Sequence, residues 1–282
     1  MLWWIELIAL VYSLIDPASR GIAERLREAA DARRIEPPPR SVEAWRISED
    51  VVLVGFPDDV IHLSYLDQSL PDAQRFVVLS RHSSASRIPV LSVHTPGNPG
   101  PEALYGGRPW ELPPSDPLMG WLLLRGLKRF AQEAGIDGVY EVVYESTHHG
   151  PTEVSKPITF IEIGSDEERW RDVVAQRVVA QSVLSALSEL DRARCVATTA
   201  FGGTHYQRVL TRRALESDMC FGHMITKNVL NSLDEAGLRR VAELAIERTV
   251  GVEQVYIEKL RSGIRRVIEE VAEARGLRVV RA

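Results

Sequence analysis

The sequence is poor in cysteine. Its 282 residues include two, Cys195 and Cys220, and neither lies in a Cys-x-x-Cys pair. Disulfide-rich secreted domains and thiolate zinc knots need several cysteines at short spacing. We therefore expect neither a disulfide framework nor a thiolate zinc site, and we expect a reducing compartment, the cytoplasm.

Long uninterrupted apolar runs are also lacking. Residues 1–15, MLWWIELIALVYSLI, form an apolar stretch that Glu6 interrupts. The stretch is shorter than the ~20 residues that span a bilayer. It also lacks the basic start and the small-residue cleavage site of a signal peptide. We predict a buried first strand here and no membrane partner.

An excess of positive charge is missing as well. The net charge is −5, from 34 lysines and arginines against 39 aspartates and glutamates. Proteins that bind nucleic acid over a wide surface are usually basic, so any RNA contact has to use local patches. Each of two candidate patches could equally be a solvated helix face. They are Arg208, Arg212, Arg213 and Lys227, and Arg261, Arg265 and Arg266.

The remaining sequence alternates between β-rich runs and helical patterns. Pro117 begins a helix that ends before Gly135, and the residues Ser165-Asp-Glu-Glu168 predict a capping box at the start of another. This alternation predicts an α/β fold with a mostly parallel or mixed sheet and helices on both faces. We expect one catalytic body, 1–282, with 1–75 as a candidate N-terminal subdomain. The β-rich runs are 51–54, 75–79, 89–93, 139–144, 158–163, 194–199 and 277–280.

Most of the seven histidines follow a β-rich run and adjoin Gly, Pro, Ser or Thr. Ligands of parallel α/β sheets bind outside the carboxyl ends of the strands, so we expect these histidines to converge there. Imidazole is a general acid or base near neutrality and a favoured zinc ligand. We leave His62 as an ordinary polar residue. The other six are His82, His94, His148, His149, His205 and His223.

The segment Glu145-Ser-Thr-His-His-Gly-Pro151 is the strongest single signal. On a regular strand His148 and His149 would point to opposite faces. Gly150 and Pro151 relax that geometry and allow both rings to face one pocket. Glu145 and Thr147 could orient an imidazole. The alternative is a polar turn without a catalytic role.

Two further segments carry candidate residues. Glu162 lies inside an apolar run, so we expect it to be partly buried, as a metal ligand, a partner of a histidine or an acceptor of backbone N–H groups. Gly202 and Gly203 precede His205, Arg208 and Arg212, a pattern that favours a loop facing a phosphate or an oxyanion. The Pro- and Gly-rich run 95–117 is either functional or mobile.

Several of these segments occur in the order found in one known family, and together they resemble the archaeal and plant type of D-aminoacyl-tRNA deacylase, the second type of D-tyrosyl-tRNA deacylase. The resemblance runs from about residue 10 to about residue 230. The segments are 16–19 (DPAS), 80–86 (SRHSSAS), 91–98 (LSVHTPGN), 145–151 (ESTHHGP), 160–164 (FIEIG), 202–206 (GGTHY) and 222–223 (GH).

The resemblance implies an enzyme that hydrolyses the ester between a D-amino acid and the terminal ribose of tRNA. It also implies bound zinc and a fold related to phosphorylases and zinc peptidases. We expect tRNA carrying a D-amino acid as the partner and no obligate protein partner. Alternatives are a zinc peptidase-like hydrolase of small molecules that does not act on tRNA, and an RNA-binding module without catalysis.

Within this framework we assign roles to the candidate residues. His148 or His149, or a metal that they bind, would activate water, with Glu145 and Thr147 beside them. Gly202 and Gly203 would cradle the oxyanion or a phosphate, and Arg208 and Arg212 would assist in binding. The predicted metal ligands are His82, His94, His205 and Glu162.

Overall fold

The computed structural model describes residues 7–282. The strands of this part of the chain are β1 (Leu7–Ser13), β2 (Arg33–Ile35), β3 (Glu43–Arg46), β4 (Val51–Phe56), β5 (Ala73–Ser83), β6 (Val90–His94), β7 (Glu141–Tyr144), β8 (Ile158–Ser165), β9 (Val196–Phe201), β10 (Met219–Ile225), β11 (Gln254–Ile257) and β12 (Arg278–Arg281). The helices are α1 (Pro17–Ala29), α2 (Leu66–Ser69), α3 (Pro117–Glu133), α4 (Glu167–Trp170), α5 (Val173–Glu189), α6 (Arg208–Glu216), α7 (Lys227–Ser232), α8 (Glu235–Glu247) and α9 (Ser262–Ala274).

The strands form two sheets. The larger has the order β2-β3-β4-β1-β5-β8-β6-β7 and the smaller the order β10-β9-β11-β12. The larger sheet is mixed, because β6 runs antiparallel to β8 while β5 runs parallel to it. The smaller sheet is parallel. The α/β fold predicted from the sequence is confirmed, and each of the seven predicted β-rich runs contains or overlaps a strand.

The predicted first strand is confirmed for β1, while residues 1–6 lie outside the described part. β1 pairs with β4 on one side and β5 on the other, so Ala9, Leu10 and Val11 are fully buried. Within residues 7–282 no helix is long and apolar enough to cross a bilayer.

The two faces of the larger sheet pack against different helices. On one face, Leu10, Val77 and Ile161 pack with residues of α1, α3 and α5. On the other face, Phe76 and Phe160 pack with residues of α2 and of a short 3-10 turn before it. Helices therefore cover both faces, as predicted. Side chains two residues apart on a strand share a face, so the second face continues along the strands towards the polar residues described below.

The prediction of a capping box at Ser165 was wrong. Ser165 ends β8, and its hydroxyl donates to the Ile88 carbonyl at 2.6 Å. Asp166 caps the four-residue helix α4, and a second aspartate, Asp172, caps α5 through bonds from Val174 and Ala175 N–H. Because Asp166 and Asp172 each cap a helix, the segment that the sequence pattern joined into one helix forms two helices.

From the sequence we expected no disulfide framework, but the two cysteines are paired. Cys195 and Cys220 form a disulfide, with their Cα atoms 5.7 Å apart. The pairing of β10 with β9 explains it, because this register places Cys220 opposite Ala197 and so brings Cys195 close. The register joins segments distant in sequence, and β10 itself was not predicted.

Candidate active site

A patch of buried polar residues lies on the second face of the larger sheet. In the register of the sheet, Ser80 of β5 and Ser92 of β6 both lie opposite Glu162 of β8. His82 and His94 lie two residues further along their strands, on the same face. Glu162 is more deeply buried than the partial burial expected from the sequence, with 2% of it exposed.

This placement corrects one expectation. The histidines do not converge beyond a common edge of parallel strands. Because β6 runs antiparallel to β8, His94 lies opposite Phe160, whereas His82 lies opposite Gly164 near the far end of β8. The pleat of a mixed sheet, rather than a row of strand ends, brings the two histidines onto one surface.

Glu145, which follows β7, is the centre of the patch. Its Oε2 atom lies 2.8 Å from His205 Nε2, 3.1 Å from His82 Nδ1 and 3.6 Å from His148 Nε2. Glu162 Oε2 lies 3.6 Å from the same His82 nitrogen. Glu145 is fully buried, and its Oε1 has no hydrogen-bond partner within residues 7–282.

Three other imidazoles form a second group beside Glu145. His94 Nε2 and His149 Nε2 are 3.1 Å apart, and the ring of His148 lies 4.4 Å, centroid to centroid, from each of their rings. His148 Nδ1–H donates to the Ser146 carbonyl at 2.7 Å, and His149 Nδ1–H donates to the Gly150 carbonyl at 2.6 Å. These bonds fix tautomers in which the Nε2 atoms carry lone pairs.

The backbone explains how two consecutive histidines reach one place. His149 itself adopts a left-handed conformation, with φ of 48°. Such a φ is uncommon for residues other than glycine and clusters at functional sites. From the sequence we expected Gly150 to relax this turn, but the positive φ falls on the histidine.

The two groups differ in charge. Burial lowers the pKa of His94 and His148 well below the usual range and that of His149 to about 4, so these rings are neutral at pH 7. Burial also opposes protonation of His82, but Glu145 and Glu162 outweigh it and raise its pKa to about 11. A neutral imidazole trio therefore adjoins a charged imidazolium.

The pKa values of the two carboxyls, Glu145 and Glu162, shift in opposite directions. Burial would raise the pKa of Glu145, but His205 and His82 hold it well below its usual value. Burial raises the pKa of Glu162, with His82 opposing and Glu145 reinforcing the increase. The negative charge of the site is therefore concentrated on Glu145.

Two predicted site residues, Thr147 and Gly202, have other partners. Thr147 Oγ1 lies 3.1 Å from Nδ1 of His223, which is completely buried, and it accepts from Met224 N–H. Gly202 N–H donates to the Ile225 carbonyl at 2.8 Å, so it cannot also hold an oxyanion. A Cβ at Gly202 would lie 2.7 Å from the Cβ of Glu258, an acidic neighbour unsuited to an anion cradle.

Several of the basic residues are paired with acids. Arg208 donates two bonds to the Glu141 carboxylate, at 2.6 and 2.8 Å, while Arg212 lines a surface hollow of about 270 Å³ beside them. Other ion pairs in the two patches are Lys227 with Glu258, Arg265 with Glu269 and Arg266 with Glu270. These pairs resemble the solvated helix faces that were the alternative interpretation.

Tyr206 was missed from the sequence. Its hydroxyl lies 2.9 Å from His82 Nε2, on the opposite side of the ring from Glu145. An isolated bridge pairs Tyr206 with Glu145, and Ser146 N–H donates to the His205 carbonyl at 2.8 Å. This pairing holds the loop after β9 over the site. The position of Tyr206 directly after His205 was the only sequence feature that could have identified it.

A family model described as D-aminoacyl-tRNA deacylase matches residues 70–280. The chain belongs to the D-aminoacyl-tRNA deacylase family. It is 41% identical to a relative of that name from Hyperthermus butylicus, over 97% of this chain and 99% of the relative. It is 40% identical to one from Desulfurococcus amylolyticus, over 96% of this chain and 98% of the relative. The resemblance noted from the sequence is confirmed, and the chain is a hydrolase of this family.

The fold also has a solved counterpart. A crystal structure of a conserved protein of unknown function matches with a TM-score of 0.87 and 28% identity. The match covers 98% of this chain and 95% of that one.

The contacts of Thr147 predict a structural effect for Thr147→Val. The variant leaves the buried N–H of Met224 and Nδ1 of His223 without partners, so the free energy of unfolding should fall by about 1–3 kcal/mol. Urea denaturation measures this change. Thr159→Val is the matched control, because buried Thr159 Oγ1 has no hydrogen-bond partner within residues 7–282. Equal stability of the two variants would contradict the assignment.

Proposed function

We propose that the chain hydrolyses the ester joining a D-amino acid to the 3′-terminal ribose of tRNA. Family membership supports this substrate. The observation that carries the chemical part is the neutral trio of His94, His148 and His149 beside the ionised Glu145 and His82. One group offers basic lone pairs and the other a positive charge.

An aminoacyl ester is activated, so the site has to hold the ester, activate water and stabilise the oxyanion of the tetrahedral intermediate. His148 and His149 are suited to accept a proton from water, because each carries its own proton on Nδ1, bonded to a backbone carbonyl. We assign water activation to this pair, as expected from the sequence, with His94 supporting His149.

For the oxyanion we replace the Gly202–Gly203 cradle with His82 and Tyr206. A protonated His82 donates from Nε2 to the Tyr206 hydroxyl 2.9 Å away. The hydroxyl hydrogen of Tyr206 is then directed away from His82, towards a substrate oxygen. Glu145 and Glu162 keep the imidazolium charged and oriented.

The residues fit a zinc ion by their donor chemistry. Donor atoms of His94, His148 and His149 lie within 4.8 Å of one another, as do those of His82, Glu145 and His205, and those of His94, Glu145 and Glu162. Imidazole and carboxylate are usual zinc ligands. Buried His94 Nδ1 and Glu145 Oε1 are among the side-chain atoms that have no hydrogen-bond partner within residues 7–282.

We propose the first of these groups as the zinc ligands. This revises the set expected from the sequence, in which His94 was grouped with His82, His205 and Glu162. When zinc is bound, the Nε2 atoms of His148 and His149 hold the metal and do not themselves accept a proton, because Nδ1 of each ring is bonded to a backbone carbonyl. When bound, zinc would lower the pKa of a water molecule to about 7. His205 then serves mainly to hold Glu145, while His82 keeps its role at the oxyanion with Tyr206.

We also propose that the chain acts as one catalytic body. β1 lies between β4 and β5 in the sheet that carries His82 and Glu162, which favours this arrangement over a separate unit for residues 1–75.

His149→Ala should lower kcat for D-tyrosyl-tRNA by about 10²- to 10⁴-fold, the usual contribution of a positioned acid or base. The release of tyrosine measures this rate, and circular dichroism checks the fold. The control is His62→Ala, since His62 is exposed and belongs to none of the donor groups. Near-normal turnover by the His149 variant would remove it from the mechanism.

Matched D- and L-tyrosyl-tRNA test the substrate and the metal together. We expect hydrolysis of the D-form only, a loss of rate and of bound zinc after treatment with a chelator, and recovery of both when zinc is added. Elemental analysis gives the zinc content. Equal rates on the two tRNAs would contradict the proposed function. Full activity of zinc-depleted protein would contradict the metal assignment alone.

A further inference from the structure

The long loop between β6 and α3 is bonded to the catalytic segment along its length. Gly97 N–H donates to the His149 carbonyl at 2.6 Å, and Gly150 N–H donates to the Tyr105 carbonyl at 2.9 Å. Further along, Arg108 N–H donates to Thr152 Oγ1 at 2.8 Å. The loop was expected to be functional or mobile, and these bonds fix it against residues 149–152.

The tip of the loop is held closely by its glycines. Gly106 has a φ of 77°, and a Cβ there would lie 2.2 Å from the Ile61 carbonyl oxygen. The Asn98 side-chain amide donates to the Gly106 carbonyl at 2.9 Å. Only glycine fits at this close approach. The backbone of Tyr105, the residue before it, is therefore held at a defined place.

The side chains at this tip are apolar and exposed. Leu104 is 76% exposed and Tyr105 is 67% exposed. Single exposed apolar residues are common on protein surfaces. Here two are adjacent, on a backbone anchored by hydrogen bonds, and Tyr105 is bonded to the residue that follows His149. The tip presents an aromatic ring to solvent beside the catalytic segment.

We propose that Tyr105, with Leu104 beside it, is a stacking platform for the terminal adenine of the substrate tRNA. The inference rests on the proposed function. The scissile ester is carried by the terminal ribose, so the adenine is one sugar away from the reacting carbonyl. An ester placed against His149 therefore brings the adenine to the rim of the site, where the loop tip lies.

The chemistry of single-stranded RNA favours this occupant. Unpaired bases at RNA ends bind by stacking on exposed aromatic side chains. Stacking requires no positive charge, which suits a chain with a net charge of −5 whose Arg208 is already paired with Glu141. A rigid platform also limits the ordering cost of holding a flexible 3′ end.

The first test compares Tyr105→Ala and Tyr105→Phe on D-tyrosyl-tRNA. We expect the alanine variant to raise KM by about 10-fold, which corresponds to about 1.4 kcal/mol, with kcat nearly unchanged, and the phenylalanine variant to behave as wild type. Val139→Ala is the control, an apolar residue 51% exposed just before β7. An unchanged KM in the alanine variant would overturn the inference. A reduced kcat with unchanged KM would also overturn it.

The second test uses adenosine monophosphate, the terminal nucleotide alone, as a competitive inhibitor of the same reaction. Its inhibition constant should rise by about 10-fold in Tyr105→Ala and stay unchanged in Tyr105→Phe and Val139→Ala. No inhibition of the wild type, or equal inhibition of all variants, would show that Tyr105 does not hold the adenine.

Failure of the inference is separable from failure of the proposed function. A wild-type protein that hydrolyses D-tyrosyl-tRNA, with a Tyr105→Ala variant indistinguishable from it, rejects only the platform. A wild-type protein that does not hydrolyse D-tyrosyl-tRNA rejects the proposed function and with it the platform.

Discussion

The site depends on one buried carboxylate, that of Glu145. A fully buried carboxylate is costly unless cationic or donor groups surround it. Here His205 and His82 lie 2.8 and 3.1 Å from one of its oxygen atoms, and the neutral His148 lies 3.6 Å from the same atom. These residues come from β5, from the segment after β7 and from the loop after β9. One acid therefore brings together three parts of the chain that are distant in sequence.

The position of this carboxylate also decides which histidine of the cluster is charged. Next to Glu145, His82 is held as an imidazolium, whereas His94, His148 and His149 are neutral because burial disfavours their charged forms. A positive charge and basic lone pairs thus coexist within a few ångströms. Hydrolysis of an ester needs both, one for the developing oxyanion and one for the attacking water.

The sequence could predict the kinds of residue in the site better than their arrangement. Histidines that follow β-rich runs, and a glutamate inside such a run, could be recognised from the sequence because side-chain alternation along a strand is a local property. These residues are His82, His94, His148, His149 and Glu162. Long-range pairing decided the rest. The antiparallel β6, the disulfide and the partners of Gly202 and Thr147 all depend on contacts between distant segments. The local sequence pattern therefore predicted an oxyanion-binding role for Gly202, whose amide instead donates to a backbone carbonyl. The same pattern gave Tyr206 no role.

The most direct measurement of this account is the turnover of D-tyrosyl-tRNA by Glu145→Gln. The amide keeps the shape of the side chain and removes the charge that His82 and His205 contact. We predict that kcat falls by at least about 100-fold, while a cooperative melting transition shows that the protein remains folded. Turnover within about 2-fold of the wild type, less than 1 kcal/mol in transition-state stabilisation, would contradict the central role of Glu145.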